Sequence, residues 1–251
     1  MTKVLMVGCN GRMGKVISAI VEKEADMEIV AGVDLMDDPS TAYPVFHSVG
    51  EVNIPADVVI DFSSAKNTDA LLDFCKESKT PLVLCSTGLS DEQLKKVEET
   101  SKEVAILKSA NMSLGVNLLI KLLKEATGVL GDAGFDIEVV EKHHNQKLDA
   151  PSGTALALAD SINEAADGKY HYVYDRSQRR EKRDPNEIGI SAIRGGSIVG
   201  DHDVIFAGQD EVITFSHTAY SRALFGRGAV AAAAYLAGKE PGFYTMQDVI
   251  G

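Results

Sequence analysis

The amino-acid sequence predicts an α/β protein in two domains: a parallel sheet covered by helices, and a second domain inserted before the C-terminus. Three observations lead there. Short apolar runs alternate with amphipathic stretches through the first hundred or so residues, the rhythm of a helix-covered parallel sheet. A glycine-rich loop, Gly8-Cys9-Asn10-Gly11-Arg12-Met13-Gly14, directly follows the first apolar run. After about Ser113 the rhythm changes to a long helix, several strands and a final apolar helix.

The elements follow in order. Residues 3–7 read as a buried strand, and 13–23 as a helix with Val16, Ile17, Ile20 and Val21 on one face. Residues 28–33 and 56–62 are strands, 66–78 a helix and 81–85 a further strand. Ser90 caps a helix running to about Lys102, and 104–107 form the next strand. Leu114–Leu130 reads as one long helix, and 135–143 as a strand ending at two histidines. An Ala- and Leu-rich helix covers 152–165, and strands are expected at 188–194, 203–207 and 211–217. The apolar helix Ala223–Leu236 then returns to pack on the first domain. The expected boundaries are 1–113 with 222–251 for the first domain and 114–221 for the second.

Composition excludes several classes. A formal charge of −12 on 251 residues argues against nucleic-acid binding, which needs a basic face. The run from Arg176 to Arg183 is basic, but no aromatic residue interleaves it for base stacking, and it reads as a solvated loop. No apolar run is long enough to span a membrane. Cys9, Cys75 and Cys85 show no paired spacing, which fits a reducing compartment; the expected location is the cytoplasm. No Cys/His ligand spacing appears, so no metal is expected.

The glycine loop is a GxxGxxG variant of the dinucleotide-binding fingerprint. Gly8 allows the tight turn, Gly11 lets backbone approach a pyrophosphate, and Gly14 lets helix and strand pack closely. The N–H groups at the helix start can then bind the phosphates. Asp34 ends the second strand, 20 residues after Gly14, where an acid accepts hydrogen bonds from the adenine ribose. It would repel a 2′-phosphate, and Leu35 and Met36 supply no balancing charge. NADH is therefore favoured, with NADPH left open through Arg12 or Lys15. Ser86-Thr87-Gly88 and Ser109-Ala110-Asn111-Met112 follow later strands and are candidate walls for the nicotinamide half.

The second signal is Glu138-Val-Val-Glu141-Lys-His143-His144-Asn-Gln-Lys147-Leu-Asp149-Ala-Pro151-Ser152-Gly153-Thr154-Ala155. Histidine titrates near neutrality and can shuttle protons, and lysine offers both charge and a proton. Ser152-Gly153-Thr154 opens a helix whose N-terminus, with two hydroxyls, can capture a carboxylate or phosphate. Glu141 and Asp149 are suited to orienting the site. Cys85 finishes an apolar strand; its other reading is an aldehyde-dehydrogenase-type nucleophile.

With these residues in view, the sequence resembles the dihydrodipicolinate reductase (4-hydroxy-tetrahydrodipicolinate reductase) family. The block from Glu138 to Ala155 matches that family's signature. Gly8 to Gly14, Ser109 to Asn117, Arg194 to His202, His217 to Gly228 and the ending from Gly242 are also similar. The resemblance implies a Rossmann-like nucleotide-binding domain and an inserted α+β domain whose open mixed sheet binds substrate and builds a homotetramer. It implies reduction of 4-hydroxy-tetrahydrodipicolinate to tetrahydrodipicolinate by NAD(P)H, in diaminopimelate and lysine biosynthesis. Carried over, His143 is the proton donor and acceptor, and Lys147 the proton donor. His144, Lys147, Ser152, Gly153 and Thr154 hold the carboxylates of a small heterocycle. Gly8, Cys9, Asn10, Gly11, Arg12, Met13, Asp34, Cys85, Ser86, Thr87, Ser109, Ala110, Asn111 and Met112 correspond to cofactor contacts. The chain departs from the pattern in three places. Leu35 stands where family members often have arginine, Cys85-Ser86-Thr87 replaces Gly-Thr-Thr, and Ala65 replaces a proline. Another Rossmann oxidoreductase, such as a semialdehyde dehydrogenase using Cys85, and a noncatalytic NADH sensor remain as alternative readings.

Overall fold

A computed structural model describes residues 1–251. In chain order the elements are β1 (Thr2–Val7), α1 (Arg12–Val21), β2 (Met27–Val33), β3 (Val45–Phe46), β4 (Val58–Asp61), α2 (Thr68–Ser78), β5 (Leu82–Leu84), α3 (Asp91–Ser101) and β6 (Ala105–Leu107). Then come α4 (Leu114–Leu130), β7 (Asp136–His143), α5 (Gly153–Ala165), β8 (His171–Val173), β9 (Glu187–Arg194), β10 (Gly200–Ala207) and β11 (Val212–Ala219). The chain closes with α6 (Ala223–Leu236), β12 (Gly242–Tyr244) and α7 (Met246–Ile250). It divides into two compact units, Met1–Ser113 with Ala223–Gly251, and Leu114–Arg222. No helix is long and apolar enough to cross a membrane.

The first unit is a seven-stranded sheet in the order β12-β6-β5-β4-β1-β2-β3, with every neighbouring pair parallel. The chain winds outward from β1 through β2 and β3, then restarts at β4 on the other side. The crevice beyond the ends of β1 and β4 is therefore a topological switch point, where open α/β sheets bind ligands. Alternating side chains of each strand reach opposite faces. Val4 and Met6 join one core with Ile17 of α1 and Ala229, Ala233 and Leu236 of α6. Leu5 and Val7 join the other with Leu71 and Leu72 of α2 and Val97 of α3. The helix α3 starts as expected: Ser90 accepts the Gln93 N–H, and the Gln93 side chain accepts the Ser90 N–H.

The second unit is a five-stranded mixed sheet in the order β11-β10-β7-β9-β8. The pairs β7–β10 and β10–β11 are antiparallel; β7–β9 and β8–β9 are parallel. Its apolar core gathers Ile137, Val139, Ile190, Val204 and Phe206 from the strands with Leu119 and Leu123 of α4 and Leu158 and Ile162 of α5. Burial alternates strictly along β7 and β10. The buried row of β7 thus runs from Ile137 and Val139 to Glu141 and His143, and that of β10 from Phe206 and Val204 to His202. One end of the core face is polar, and the candidate site lies there.

The basic run at Arg176–Arg183 is not simply solvated. Arg183 pairs with Glu138 at 2.8 Å and Arg176 pairs with Glu187. Much of the basic charge is balanced by acids of β7 and β9.

Candidate active site

In the first unit, β1 delivers the chain to Gly8, whose N–H donates to the Val33 carbonyl at 2.8 Å. Gly8 has φ of +80°, and a Cβ there would lie 2.8 Å from the Phe62 carbonyl oxygen. A Cβ on Gly14 would collide with the carbonyl oxygens of Gly8 and Cys9. Both positions therefore require glycine. No side chain caps α1 at Gly11, so the first turn keeps backbone N–H groups for an anion.

Beside this loop is a cavity of about 460 Å³ lined by Gly8, Gly11, Asp34, Leu35, His47 and Phe62, among others. Asp34 takes the Asn10 N–H on one oxygen and the Met36 N–H on the other, both at 3.0 Å. A carboxylate has about four acceptor positions, so it retains capacity for ribose hydroxyls. Lys15 is held by Asp38 at 2.6 Å, which draws its charge away from the cavity. Arg12 is exposed on the first turn of α1. The uncapped helix, the glycine cradle and the cavity fit an adenine dinucleotide.

Asp61 organises the neighbouring strand ends. One oxygen accepts from Ser63 (N–H at 3.0 Å, Oγ at 2.6 Å) and the other from the Ser86 hydroxyl at 2.5 Å. Burial raises its carboxyl above the usual range despite these hydrogen bonds. Ser86 is therefore buried with its hydroxyl turned inward, while Thr87 is exposed. Burial, with Asp61 nearby, pushes the Cys85 thiol well above its ordinary value, which counts against a thiolate nucleophile. Ser109 Oγ accepts the Met246 N–H at 2.7 Å, and Asn111 Oδ1 accepts the Ser113 N–H at 2.8 Å. Met112 is buried, and its carbonyl lies so close to Gly228 that a Cβ there would collide with it; Ala110 is exposed.

In the second unit, β7 ends at His143. Its Nδ1 lies 2.6 Å from Glu141 Oε2, both side chains being on the core face. Glu141 also receives a two-pronged contact from Arg194, at 2.8 and 2.7 Å, and the Ser152 N–H at 3.0 Å. Burial alone would raise the Glu141 carboxyl; the hydrogen bonds from Arg194, His143 and Ser152 outweigh it and hold the carboxyl below its usual range. An ionised Glu141 requires a proton on His143 Nδ1. In the neutral ring that leaves Nε2 with the free lone pair. Gly200 makes room for the ring: a Cβ there would stand 3.0 Å from Nε2.

The chain then turns through His144–Lys147, where the Lys147 N–H donates to the His144 carbonyl at 3.2 Å. Lys147 Nζ rests on Asp149 at 2.9 Å. After a cis Ala150–Pro151 bond, Ser152 caps α5 by accepting the Ala155 N–H at 3.2 Å. Gly153 is exposed and a Cβ there would meet nothing, so backbone at the start of α5 is open to a ligand. Lysine, imidazoles and a helix N-terminus thus stand close together in the chain at this end of the unit, groups whose chemistry suits anions. The roles of Arg194 in fixing Glu141, and of Asp61 in tying two strand ends together, were not read from the sequence. Both are long-range contacts without a local signature.

A glycine cradle at a switch point of one sheet, and a histidine held by a buried carboxylate on the other, are features of the nicotinamide-dependent oxidoreductase class. Comparison with known proteins makes the assignment specific. The N-terminal domain of dihydrodipicolinate reductase matches residues 2–112, and the C-terminal domain matches 115–250. The chain belongs to the dihydrodipicolinate reductase family. It is 54% identical over 250 residues to 4-hydroxy-tetrahydrodipicolinate reductase of Caldanaerobacter subterraneus subsp. tengcongensis, covering 100% of this chain and 98% of that one. It is 51% identical over 251 residues to the same enzyme of Clostridium novyi, with the same coverage. Among solved structures, dipicolinate-bound dihydrodipicolinate reductase from Paenisporosarcina sp. TG-14 shares the fold, with a TM-score of 0.84, 24% identity and 99% coverage of both chains. The expected α/β class, Rossmann-like sheet and family are thereby established.

Proposed function

We propose that this chain reduces 4-hydroxy-tetrahydrodipicolinate to tetrahydrodipicolinate in the diaminopimelate route to lysine. The observation that carries the assignment of roles is His143, fixed by buried Glu141, close in sequence to Lys147 and the open N-terminus of α5. The reduced nicotinamide supplies a hydride when bound. Gly8 to Met13 hold its pyrophosphate, Asp34 the adenine ribose, and the segments Cys85–Thr87 and Ser109–Met112 the nicotinamide half. In the latter, the contacts come from backbone and from exposed Thr87, since the Ser86 hydroxyl is engaged by Asp61.

His144, Lys147, Ser152, Gly153 and Thr154 hold the two carboxylates of the ring. Over the whole reaction one hydride and one proton enter the substrate and one water leaves. Lys147 gives a proton, and His143 exchanges one through Nε2 while Glu141 stabilises the charged ring. Orientation and charge compensation carry most of the acceleration.

NADH is the favoured cofactor, because Asp34 stands without a following basic residue and Lys15 is engaged by Asp38. NADPH use runs through Arg12. The assembly is a homotetramer built on the second unit's open sheet, a reading that rests on the family resemblance. Net charge and the unpaired cysteines support a cytoplasmic location. The test is oxidation of NADH and NADPH in parallel with freshly condensed pyruvate and aspartate semialdehyde. Oxidation of both, faster with NADH, is expected; no oxidation of either overturns the assignment.

A further inference from the structure

The polar end of the second sheet buries another histidine. His202 on β10 stands opposite Glu141 on one side and His217 on the other, and is 4% exposed. Its ring meets His143 edge-on at 5.2 Å between centroids, and His217 at 6.5 Å. Its Nε2 lies 3.1 Å from Ser152 Oγ, and its Nδ1 has no partner.

Two tautomers fit that geometry. With the proton on Nδ1, a buried N–H would point at nothing. With the proton on Nε2, the orphan is a bare lone pair. Buried orphan N–H groups are the rarer of the two in native proteins. The second tautomer leaves the less costly orphan, and in it Nε2–H donates to Ser152. A hydroxyl oxygen accepts two hydrogen bonds and donates one. Ser152 Oγ already accepts the Ala155 N–H, so His202 fills its second acceptor position. The Ser152 N–H is committed to Glu141. What remains is the hydroxyl proton, which has no acceptor left within this network.

We propose that His202 is a positioning residue that turns the Ser152 hydroxyl proton toward a substrate carboxylate. It acts through Ser152 and touches no reacting atom. The inference rests on the reading of Ser152–Thr154 as the carboxylate cradle and assigns His202 the orientation of its one side-chain donor in the buried network.

The test compares His202→Leu and His202→Gln with wild type, reading substrate KM, kcat, NADH affinity and the Kd of pyridine-2,6-dicarboxylate in the presence of NADH. A Leu variant has no donor; a Gln amide offers an N–H near the position of Nε2. Substrate KM and dicarboxylate Kd should rise about 10-fold in His202→Leu, the worth of one hydrogen bond to a charged group. The value of kcat and the affinity for NADH should hold, and His202→Gln should recover most of the loss. Equal dicarboxylate affinity in Leu and wild type overturns the inference, as does a folded Gln variant no better than Leu. If His202→Leu fails to fold, His202→Asn replaces it, because its shorter amide falls short of Ser152; equal affinity in Asn and Gln then overturns the inference. Wild type that binds no dicarboxylate overturns the proposed function as well, which separates the two failures.

Discussion

Glu141 gathers the hydrogen bonds at the polar end of the second unit. It is fully buried, yet its two oxygens take His143, both arms of Arg194 and a backbone N–H. Glu141→Gln removes the charge and leaves a guanidinium uncompensated; the loss should be about 3 kcal/mol in denaturant unfolding, with reduced turnover. Lys147 is less buried and pairs only with an exposed acid, so Lys147→Ala should fold normally. Its kcat/KM should fall by about 100-fold or more while NADH binding persists; near-wild-type turnover would remove Lys147 from the mechanism. Burial, then the neighbouring His143, lower His202 to about 4. The unfolded imidazole titrates near 6.5, so the unfolded chain takes up the proton first as pH falls. The contribution is fully present above about pH 6.5 and is lost progressively down to about pH 4, at most about 3 kcal/mol in total. Unfolding free energies over that range should show the slope, and His202→Gln should flatten it. His143, His144 and Lys147 can be proposed from the sequence because they stand together in one short segment. Arg194 and His202, which contact Glu141 and Ser152, come from other strands and are joined to that segment by the sheet register.

At the scale of elements, the long periodic segments were read closely. Leu114–Leu130 and Ala223–Leu236 have the expected bounds, and Ser90 and Ser152 are both N-caps. What escaped was short: β3, β8, β12 and α7 have two to five residues, too few for a repeating pattern to emerge. The expected helix at 66–78 begins instead with a separate 3₁₀ turn at Ala65–Asn67, followed by α2. The strand expected at 203–207 starts earlier, at Gly200, because glycine and Asp-His carry no strand signal while the ladder to β11 continues through them. The junction of β1 and α1 offers a direct check. Gly14→Ala places a methyl group against two backbone oxygens and should cost about 2 kcal/mol while weakening NADH binding. Retained stability and affinity would show that α1 can shift without disturbing the loop. At the end of β2, Leu35→Arg should raise the NADPH to NADH ratio of kcat/KM by about 10-fold. An unchanged ratio would count against Asp34 and Leu35 as the discriminating pair.

For the whole molecule, the parallel rhythm, the change after Ser113 and the return of the last helix could all be inferred from pattern. Strand order could not, because order is decided by contacts across the chain and not along it. The chain leaves the first unit at Ser113 and re-enters it at Ala223, where α6 supplies much of one core and β12 becomes an edge strand beside β6. The inserted unit is one unbroken stretch of sequence. Its mixed sheet can therefore close without α6 or β12, whereas the nucleotide domain completes its own sheet only when residues from both sides of the insertion have met.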